Sequence, residues 1–361
     1  VVNGVKSYNG GDVKTYGDHR IAMSGAIALV CSRYGGEIDN EDCVSISFPG
    51  FFDVLKKNNF GLLGKNVSSS PSNKIHSFIL DKFGLTTFGY SYINAEEDGL
   101  KRAYSELREY EGYNVTVPYK GEAYKHVLKS YGDAKTVKSV NTVKRLSGYT
   151  TDGDGFLMML KNHGIDVAGK KVLVVGAGGA GRSVIAALVS AKANVDVYNR
   201  TAKTAIELRK KLPSISVLGE IPECPYDVVV NATSVGSRID PEESPVRKET
   251  LAACGAAADV VYDPSETVFL KTAKELGKTA INGFEMLFFQ AYLSDCIFIG
   301  KEPSEDEAFA LYREYMGIEE GKQEEKSGGF TAKIAGKIAT TGKVVRQKMP
   351  LSKHAGEEKA E

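Results

Sequence analysis

Lys171-Val-Leu-Val-Val-Gly-Ala-Gly-Gly-Ala-Gly181 joins a continuous apolar run to a GxGxxG pattern, and a helical run from Arg182 to Ala191 follows at once. An unbroken apolar run of this kind is what a parallel strand covered on both faces requires. The glycines then have separate tasks. Gly176 permits a tight turn, Gly178 lets backbone approach a pyrophosphate, and Gly181 lets the helix pack on the strand. With Ala177, Gly179 and Ala180 between them they form a loop ending at a helix N-terminus, whose unpaired N–H groups meet phosphate charge. Strand, loop and helix in this order predict a dinucleotide-binding unit.

Downstream, Asn194 to Tyr198 reads as the next strand and ends in Asn199-Arg200-Thr201. NAD enzymes place an acidic residue here for the ribose 2′-hydroxyl. This chain has Arg200, with Lys203 close behind, and a guanidinium suits a 2′-phosphate that a carboxylate would repel, so NADP is the expected cofactor. Asp227 to Asn231 and Asp259 to Tyr262 read as further strands. Upstream, Gly61-Leu-Leu-Gly64 is strand-like, and Ser72 to Phe83 spaces Ile75, Phe78, Ile79 and Phe83 as a helix does. Asn114 to Pro118 reads as a strand followed by a helix carrying Ala123, Val127 and Leu128. This alternation predicts an α/β protein of doubly wound parallel sheets.

The 361 residues suffice for two or three compact units. Zero formal net charge gives no global field for nucleic acid or an anionic membrane. Apolar residues at 42% and charged residues at 25% are those of a soluble globular protein. No apolar run approaches the ~20 residues that cross a bilayer. The five scattered cysteines read as reduced thiols of a cytoplasmic protein, and no histidines or cysteines have metal-ligand spacing, so no metal is expected. Starting on Val-Val-Asn-Gly, the chain reads as beginning partway through a longer polypeptide. The Lys-, Glu-, Gly- and Ser-rich stretch 319–361 reads as a mobile tail.

Hydride chemistry at an alcohol carbon needs a proton-transfer group and polar groups that orient the substrate. Three segments outside the nucleotide unit supply candidates. Ser68-Ser-Ser70-Pro-Ser72 precedes a helix, where hydroxyls and free N–H groups can hold a carboxylate. Asn114-Val-Thr116-Val-Pro-Tyr-Lys120 sets a lysine after a strand. Ser139-Val-Asn141-Thr142 and Thr151-Asp152-Gly-Asp-Gly155 add an amide and a carboxylate. Taken alone, each also reads as a cap, a turn or a solvated charge.

Taken together, these segments resemble the shikimate dehydrogenase family over about Phe60 to Met316. The motifs, in family order, begin with the Ser70/Ser72 element followed by His76, NVTVPxK at Asn114 to Lys120, VNT at Val140 to Thr142 and TDxxGF at Thr151 to Phe156. They continue with GAGGAxR at Gly176 to Arg182, NRT at Asn199 to Thr201 and NATSVG at Asn231 to Gly236. DxxYxP at Asp259 to Pro264 and NGFEMLxxQA at Asn282 to Ala291 complete the series. The chain departs from the family pattern at Ser69, Asn73 and Thr204.

The resemblance implies a substrate-binding α/β domain, 58–151 completed by 281–318, and a Rossmann-type NADP-binding domain, 152–280, with the active-site cleft between them. It implies that Lys120 and Asp152 form the acid/base pair, that Ser70 and Ser72 hold the substrate carboxylate, and that Thr116, Asn141, Tyr262 and Gln290 bind its ring hydroxyls or carboxylate. The cofactor side would comprise Gly176, Ala177, Gly178, Gly179, Ala180, Gly181, Asn199, Arg200, Thr201, Lys203, Thr233, Gly283 and Met286. The expected reaction is reduction of 3-dehydroshikimate to shikimate. Two rivals stand beside it: an NAD-using quinate/shikimate dehydrogenase, and a non-catalytic metabolite sensor of the same fold.

Residues 1–57 stand outside that pattern. Thr15-Tyr-Gly-Asp-His-Arg-Ile-Ala-Met23 and Val44-Ser-Ile-Ser-Phe-Pro-Gly-Phe-Phe52 resemble the C-terminal end of 5-enolpyruvylshikimate-3-phosphate synthase, whose arginine, here Arg20, binds a substrate anion. Ile46 stands where that family usually has Lys. So short a piece implies no synthase activity by itself, and points to a longer fusion polypeptide of the same pathway.

Overall fold

In the computed structural model the described residues are 10–30, 37–52, 59–85, 88–238 and 240–318. The tail expected beyond them lies outside this range. At the front, α1 (His19–Val30) and a 3-10 turn, Asp42–Ile46, enclose a small cluster of Ala22, Ala26, Cys43, Val44 and Phe51. Phe51 meets Phe48 and Phe52 edge-on, at centroid distances of 5.6 and 5.3 Å.

The first sheet contains β1 (Asn59–Gly64), β2 (Gly89–Asn94), β3 (Gly112–Val115), β4 (Lys129–Ser130), β5 (Thr142–Lys144) and β6 (Ser147–Tyr149), in the order β2-β1-β3-β5-β6-β4. Strand β1 runs parallel to β2 and β3, but β5 is antiparallel to β3 and to β6. This sheet is therefore mixed rather than all parallel. Only Arg145 and Leu146 connect β5 to β6, with Arg145 at φ +48°, and so short a link can join only antiparallel strands.

Helices α2 (Ser72–Lys82), α3 (Leu100–Glu106), α4 (Lys120–His126) and α5 (Asp133–Val137) accompany it. Helix α2 buries Ile75 and Ile79, as their spacing predicts. Two boundaries differ from the sequence expectation. The strand begun at Asn114 ends at Val115; Pro118 can donate no ladder bond, and Val117 is 64% exposed. Helix α4 ends at His126, and Leu128, expected on its buried face, is exposed while its N–H bonds the Leu146 carbonyl.

The second sheet follows α6 (Asp152–Asn162). Its strands are β7 (Lys171–Val175), β8 (Asn194–Tyr198), β9 (Ser216–Leu218), β10 (Tyr226–Asn231), β11 (Cys254–Asp259) and β12 (Thr279–Ile281), all parallel, in the order β12-β11-β10-β7-β8-β9. Helices α7 (Gly179–Ser190), α8 (Ala202–Arg209), α9 (Lys248–Ala252) and α10 (Val268–Glu275) alternate with them, and α11 (Phe284–Ile299) and α12 (Glu305–Met316) close the described chain. The strand expected at Asp259 to Tyr262 is instead β11, which ends at Asp259. Of its small residues Cys254, Ala256, Ala257 and Ala258 are buried, while Gly255 is exposed.

Helices α6 and α11 matter most for the site. Ile75 and Ile79 of α2, Phe156 and Met159 of α6, Phe288 and Phe289 of α11, and Val172 and Val174 of β7 belong to one buried cluster. Each such side chain contributes roughly 2–3 kcal/mol through burial. Two glycines in α6 allow the approach. A Cβ on Gly155 would lie 2.7 Å from the Gln290 amide nitrogen in α11, and one on Gly153 would lie 2.4 Å from the Ser183 carbonyl in α7. Among the described residues no helix is long and apolar enough to cross a membrane.

Candidate active site

The quoted glycine loop has the geometry its spacing predicts. Gly176 sits at φ +109°, and a Cβ there would be 2.7 Å from the Ala232 carbonyl oxygen, so the turn excludes other side chains. A Cβ on Gly181 would fall 2.4 Å from the Gly176 carbonyl oxygen, while Gly178 faces open space. Exposed Gly178 and Gly179 at the start of α7 thus present bare backbone, with Ala177 and Ala180 flanking them. Asn199 ties this loop to the end of β8: its Oδ1 accepts from the Ala177 N–H at 2.8 Å, and its Nδ2 donates to the Thr201 carbonyl at 2.9 Å. Its side chain is committed to shaping the loop.

Arg200 and Lys203 are exposed beside it, and neither makes an ion pair among the described residues. Bare backbone at a helix N-terminus and two unpaired cations fit a phosphorylated dinucleotide. On the far side Thr233 donates its hydroxyl to Asn231 Oδ1 at 2.7 Å. Gly283 is essential to the contour, since a Cβ there would sit 2.3 Å from the Val260 carbonyl oxygen, and Met286 is buried in the first turn of α11.

Lys120 opens α4 and Asp152 opens α6, and the Lys120 Nζ lies 2.6 Å from Asp152 Oδ2. Their side chains are 13% and 6% exposed, so the pair is largely dry without being sealed. Asn141 occupies the other carboxylate oxygen, donating from Nδ2 to Asp152 Oδ1 at 2.9 Å, and lies 3.2 Å from Gln290 Oε1. Asn141 and Asp152 are 11 residues apart, whereas Gln290 is 149 residues from Asn141 and is brought to it by the close packing of α11 on α6.

Ser70 and Ser72 form a second cluster, their hydroxyls 2.9 Å apart at the start of α2. Tyr92 in β2 donates to the Ser70 carbonyl at 2.5 Å and accepts from the Asn73 N–H at 3.1 Å. Asn73, one of the departures from the family pattern, also donates from Nδ2 to the Tyr90 carbonyl at 2.7 Å, clamping α2 to β2. Thr116 follows β3, and Gly64 makes room for it: a Cβ on Gly64 would be 2.5 Å from Thr116 Cγ2. Tyr262 lies on the loop after β11, 37% exposed. Partial burial raises its phenol, with Asp263 adding to the rise.

Sequence reading missed Tyr92, although an aromatic pair at alternate positions of a strand, Tyr90 and Tyr92, was visible. It also missed the buried contact of His76 Nδ1 with Asp295 Oδ1 at 2.6 Å, joining α2 to α11. In the front piece Arg20 is engaged by Asp18, at 3.1 and 2.7 Å from its two oxygens, rather than held open toward an anion. Among the described residues no His, Cys, Asp and Glu side chains gather as a metal site.

A parallel nucleotide sheet, a second α/β unit and a Lys–Asp pair between their connecting helices define a dinucleotide-dependent oxidoreductase. The family model described as shikimate dehydrogenase substrate binding domain matches residues 62–143, and that for shikimate/quinate 5-dehydrogenase matches 159–251. The chain belongs to the shikimate dehydrogenase family. It is 35% identical to a shikimate dehydrogenase (NADP(+)) of Carboxydothermus hydrogenoformans, over 65% of this chain and 89% of that protein. For a Thermus thermophilus protein of the same name the identity is 36%, over 72% and 99%. The crystal structure of a T. thermophilus shikimate 5-dehydrogenase in complex with NADP(H) and shikimate superposes with TM-score 0.63 at 35% identity, covering 71% of this chain and 98% of that one. A chorismate mutase/shikimate 5-dehydrogenase fusion protein from Clostridium acetobutylicum gives TM-score 0.64 at 31% identity, covering 72% and 98%. Residues 1–55 match the family model for EPSP synthase (3-phosphoshikimate 1-carboxyvinyltransferase).

Proposed function

We propose that the chain catalyses the reversible reduction of 3-dehydroshikimate to shikimate, with NADPH as the reductant. The Lys120–Asp152 contact carries this reading, because it places a proton-transfer pair in a largely dry position against the nucleotide unit. NADPH held by the glycine loop, Gly176 to Gly181, would supply a hydride to the carbonyl carbon. Lys120 gives a proton to the carbonyl oxygen as that oxygen becomes an alcohol, and Asp152 holds the ammonium in place; the reverse reaction returns the proton to the pair. Ser70 and Ser72 bind the substrate carboxylate. Thr116, Asn141, Tyr262 and Gln290 hold the ring hydroxyls or the carboxylate.

Gly176 to Gly181 would hold the cofactor pyrophosphate. Asn199, Arg200, Thr201 and Lys203 take the adenosine end, where the two cations match a 2′-phosphate. Thr233, Gly283 and Met286 complete the cofactor wall. In this reading 58–151 with 281–318 forms the substrate domain and 152–280 the nucleotide domain. Residues 1–57 are what the chain retains of a fused synthase in a longer cytoplasmic polypeptide of the same pathway.

The test is oxidation of shikimate by NADP, followed by the absorbance of reduced nicotinamide and repeated with NAD and with quinate. Turnover with shikimate and NADP is expected. A higher kcat/KM with NAD and quinate would replace this reading by the quinate one. Calorimetric binding of shikimate without turnover would make the protein a sensor.

A further inference from the structure

Behind Asp152 lies a line of buried side chains that reaches it through Asn141. Tyr90 OH donates to Asn114 Oδ1 at 3.0 Å, and Asn114 Nδ2 lies 3.0 Å from Ser294 Oγ. Ser294 Oγ is 2.7 Å from Thr142 Oγ1, which donates to Asn141 Oδ1 at 3.0 Å. Asn141 Nδ2 then donates to Asp152 Oδ1 at 2.9 Å. Every member of the line is more than nine-tenths buried.

Backbone groups fix the orientation of its two amides. Asn114 Nδ2 also faces the Asn141 carbonyl at 3.3 Å, which can only accept, so that amide offers its N–H groups toward Ser294. Asn141 Oδ1 accepts the Thr151 backbone N–H at 2.9 Å, which can only donate, so that amide offers its oxygen toward Thr142. Thr142 Oγ1 therefore donates to Asn141 Oδ1. Ser294 Oγ donates to the Gln290 carbonyl of its own helix at 2.8 Å, accepts from Asn114 Nδ2, and stands 2.7 Å from Thr142 Oγ1 and 3.2 Å from Thr151 Oγ1. At the far end Tyr90 remains a donor, because burial pushes its phenol well above the ordinary range.

We propose that Thr142 and Ser294 are positioning residues in a buried hydrogen-bond chain that joins Tyr90 to Asp152. The chain locks the Asn141 amide so that its N–H holds Asp152 Oδ1 and leaves Oδ2 to Lys120. Donors arranged in series strengthen one another, so breaking the chain at a hydroxyl loosens the carboxylate without removing any group that touches substrate. This inference rests on the reading of Lys120 and Asp152 as the acid/base pair.

Steady-state kinetics on Thr142→Val, which removes the hydroxyl at nearly constant shape, test it. We expect kcat to fall about tenfold with the KM for NADP unchanged, and Thr142→Ser to restore kcat to within about twofold. Ser294→Ala should behave like Thr142→Val, and the double variant should be no slower than the slower single one, since both hydroxyls act through the one Asn141 amide. Three results would each overturn the proposal: full kcat in Thr142→Val, failure of Thr142→Ser to rescue, or losses that multiply in the double variant. If Thr142→Val does not fold, Ser294→Ala and Tyr90→Phe carry the same test. Asp152→Asn separates the two readings. Full turnover there removes the acid/base assignment, whereas an inactive Asp152→Asn beside a fully active Thr142→Val removes the chain alone.

Discussion

Lys120 reaches the nucleotide helix as well as Asp152: its Cδ lies 3.7 Å from the position a Cβ on Gly179 would occupy, at the first residue of α7. One side chain thus spans from the substrate sheet to the loop that receives the cofactor, with its ammonium 2.6 Å from Asp152 Oδ2. The reacting carbon must lie between hydride donor and proton donor, and Lys120 stands beside both the glycine loop and Asp152.

Lys120→Ala should therefore lower kcat by at least ~10²-fold, the usual size of a lost proton-transfer group, with substrate affinity less affected. Kinetics and shikimate titration on the same preparation measure both. Nearly unaltered turnover would remove Lys120 from the mechanism.

The glycines of the loop should separate by function. Gly178→Ala meets no atom within 4 Å, so thermal stability should hold while the KM for NADP rises, because the methyl group stands where pyrophosphate approaches. Gly181→Ala drives a Cβ to 2.4 Å from the Gly176 carbonyl oxygen and should cost about 1–3 kcal/mol of stability. Melting curves alongside cofactor kinetics check the contrast; equal melting points for the two variants would contradict it.

The parts of this fold that were legible in the sequence are those where chemistry and composition agree. Lys171 to Val175 and Asp227 to Asn231 are apolar because both sheet faces are covered, and they are strands. Composition misled around β11, where Ala256, Ala257 and Ala258 are poor strand formers buried by close packing, while Val260-Val261-Tyr262 looked more strand-like yet forms the loop that presents Tyr262. Strand β2, Gly89–Asn94, went unread because its two tyrosines turn their hydroxyls to polar partners, Tyr92 to the Ser70 carbonyl and Tyr90 to Asn114. Ser70, Ser72, Lys120, Asn141, Asp152 and Gln290 could be named from motifs. Ser294 could not, since a serine within an apolar helix carries no signal until its four oxygen and nitrogen neighbours are placed around it.

Arg200→Asp should move cofactor preference toward NAD. It removes a possible bidentate partner of a 2′-phosphate and adds repulsion, at a site already exposed, so the fold should be unaffected. The ratio of kcat/KM for the two cofactors is the readout. An unchanged ratio would place the 2′-phosphate on another group, Lys203 being nearest in sequence.

The buried Asp259 should make stability fall as pH rises. Burial raises its carboxyl to about 6, against hydrogen bonds from Thr267, Val261 and Asn231 that lower it. Between its unfolded value near 4 and about 6 the native state binds the extra proton, so stability is greatest at the acid side and declines through that window. A shift of this size corresponds to roughly 2–3 kcal/mol. Asp259→Asn should remove that component: the difference in urea midpoint between the natural protein and the variant should change as pH falls from about 7 to about 5, in favour of the natural protein. A difference independent of pH would show that Asp259 does not titrate there.

The last prediction concerns the front piece. Its buried cluster, Ala22, Ala26, Cys43, Val44 and Phe51, contains only its own residues, and the dehydrogenase motifs begin after it. Outside that cluster it shows apolar side chains to solvent: Ile46 is 79% exposed, and Ile21, Ile27 and Phe48 are each above 40%. Apolar surface of this kind promotes association. Among the described residues, none of those that touch Lys120, Asp152 or the glycine loop belongs to it. A chain beginning at Lys57 should therefore keep the dehydrogenase kcat and KM of the full chain and remain soluble at higher concentration. Light scattering across a concentration series, with kinetics on the same samples, decides the matter. An insoluble or inactive shortened chain beside an active full one would show that the front piece supports the dehydrogenase fold.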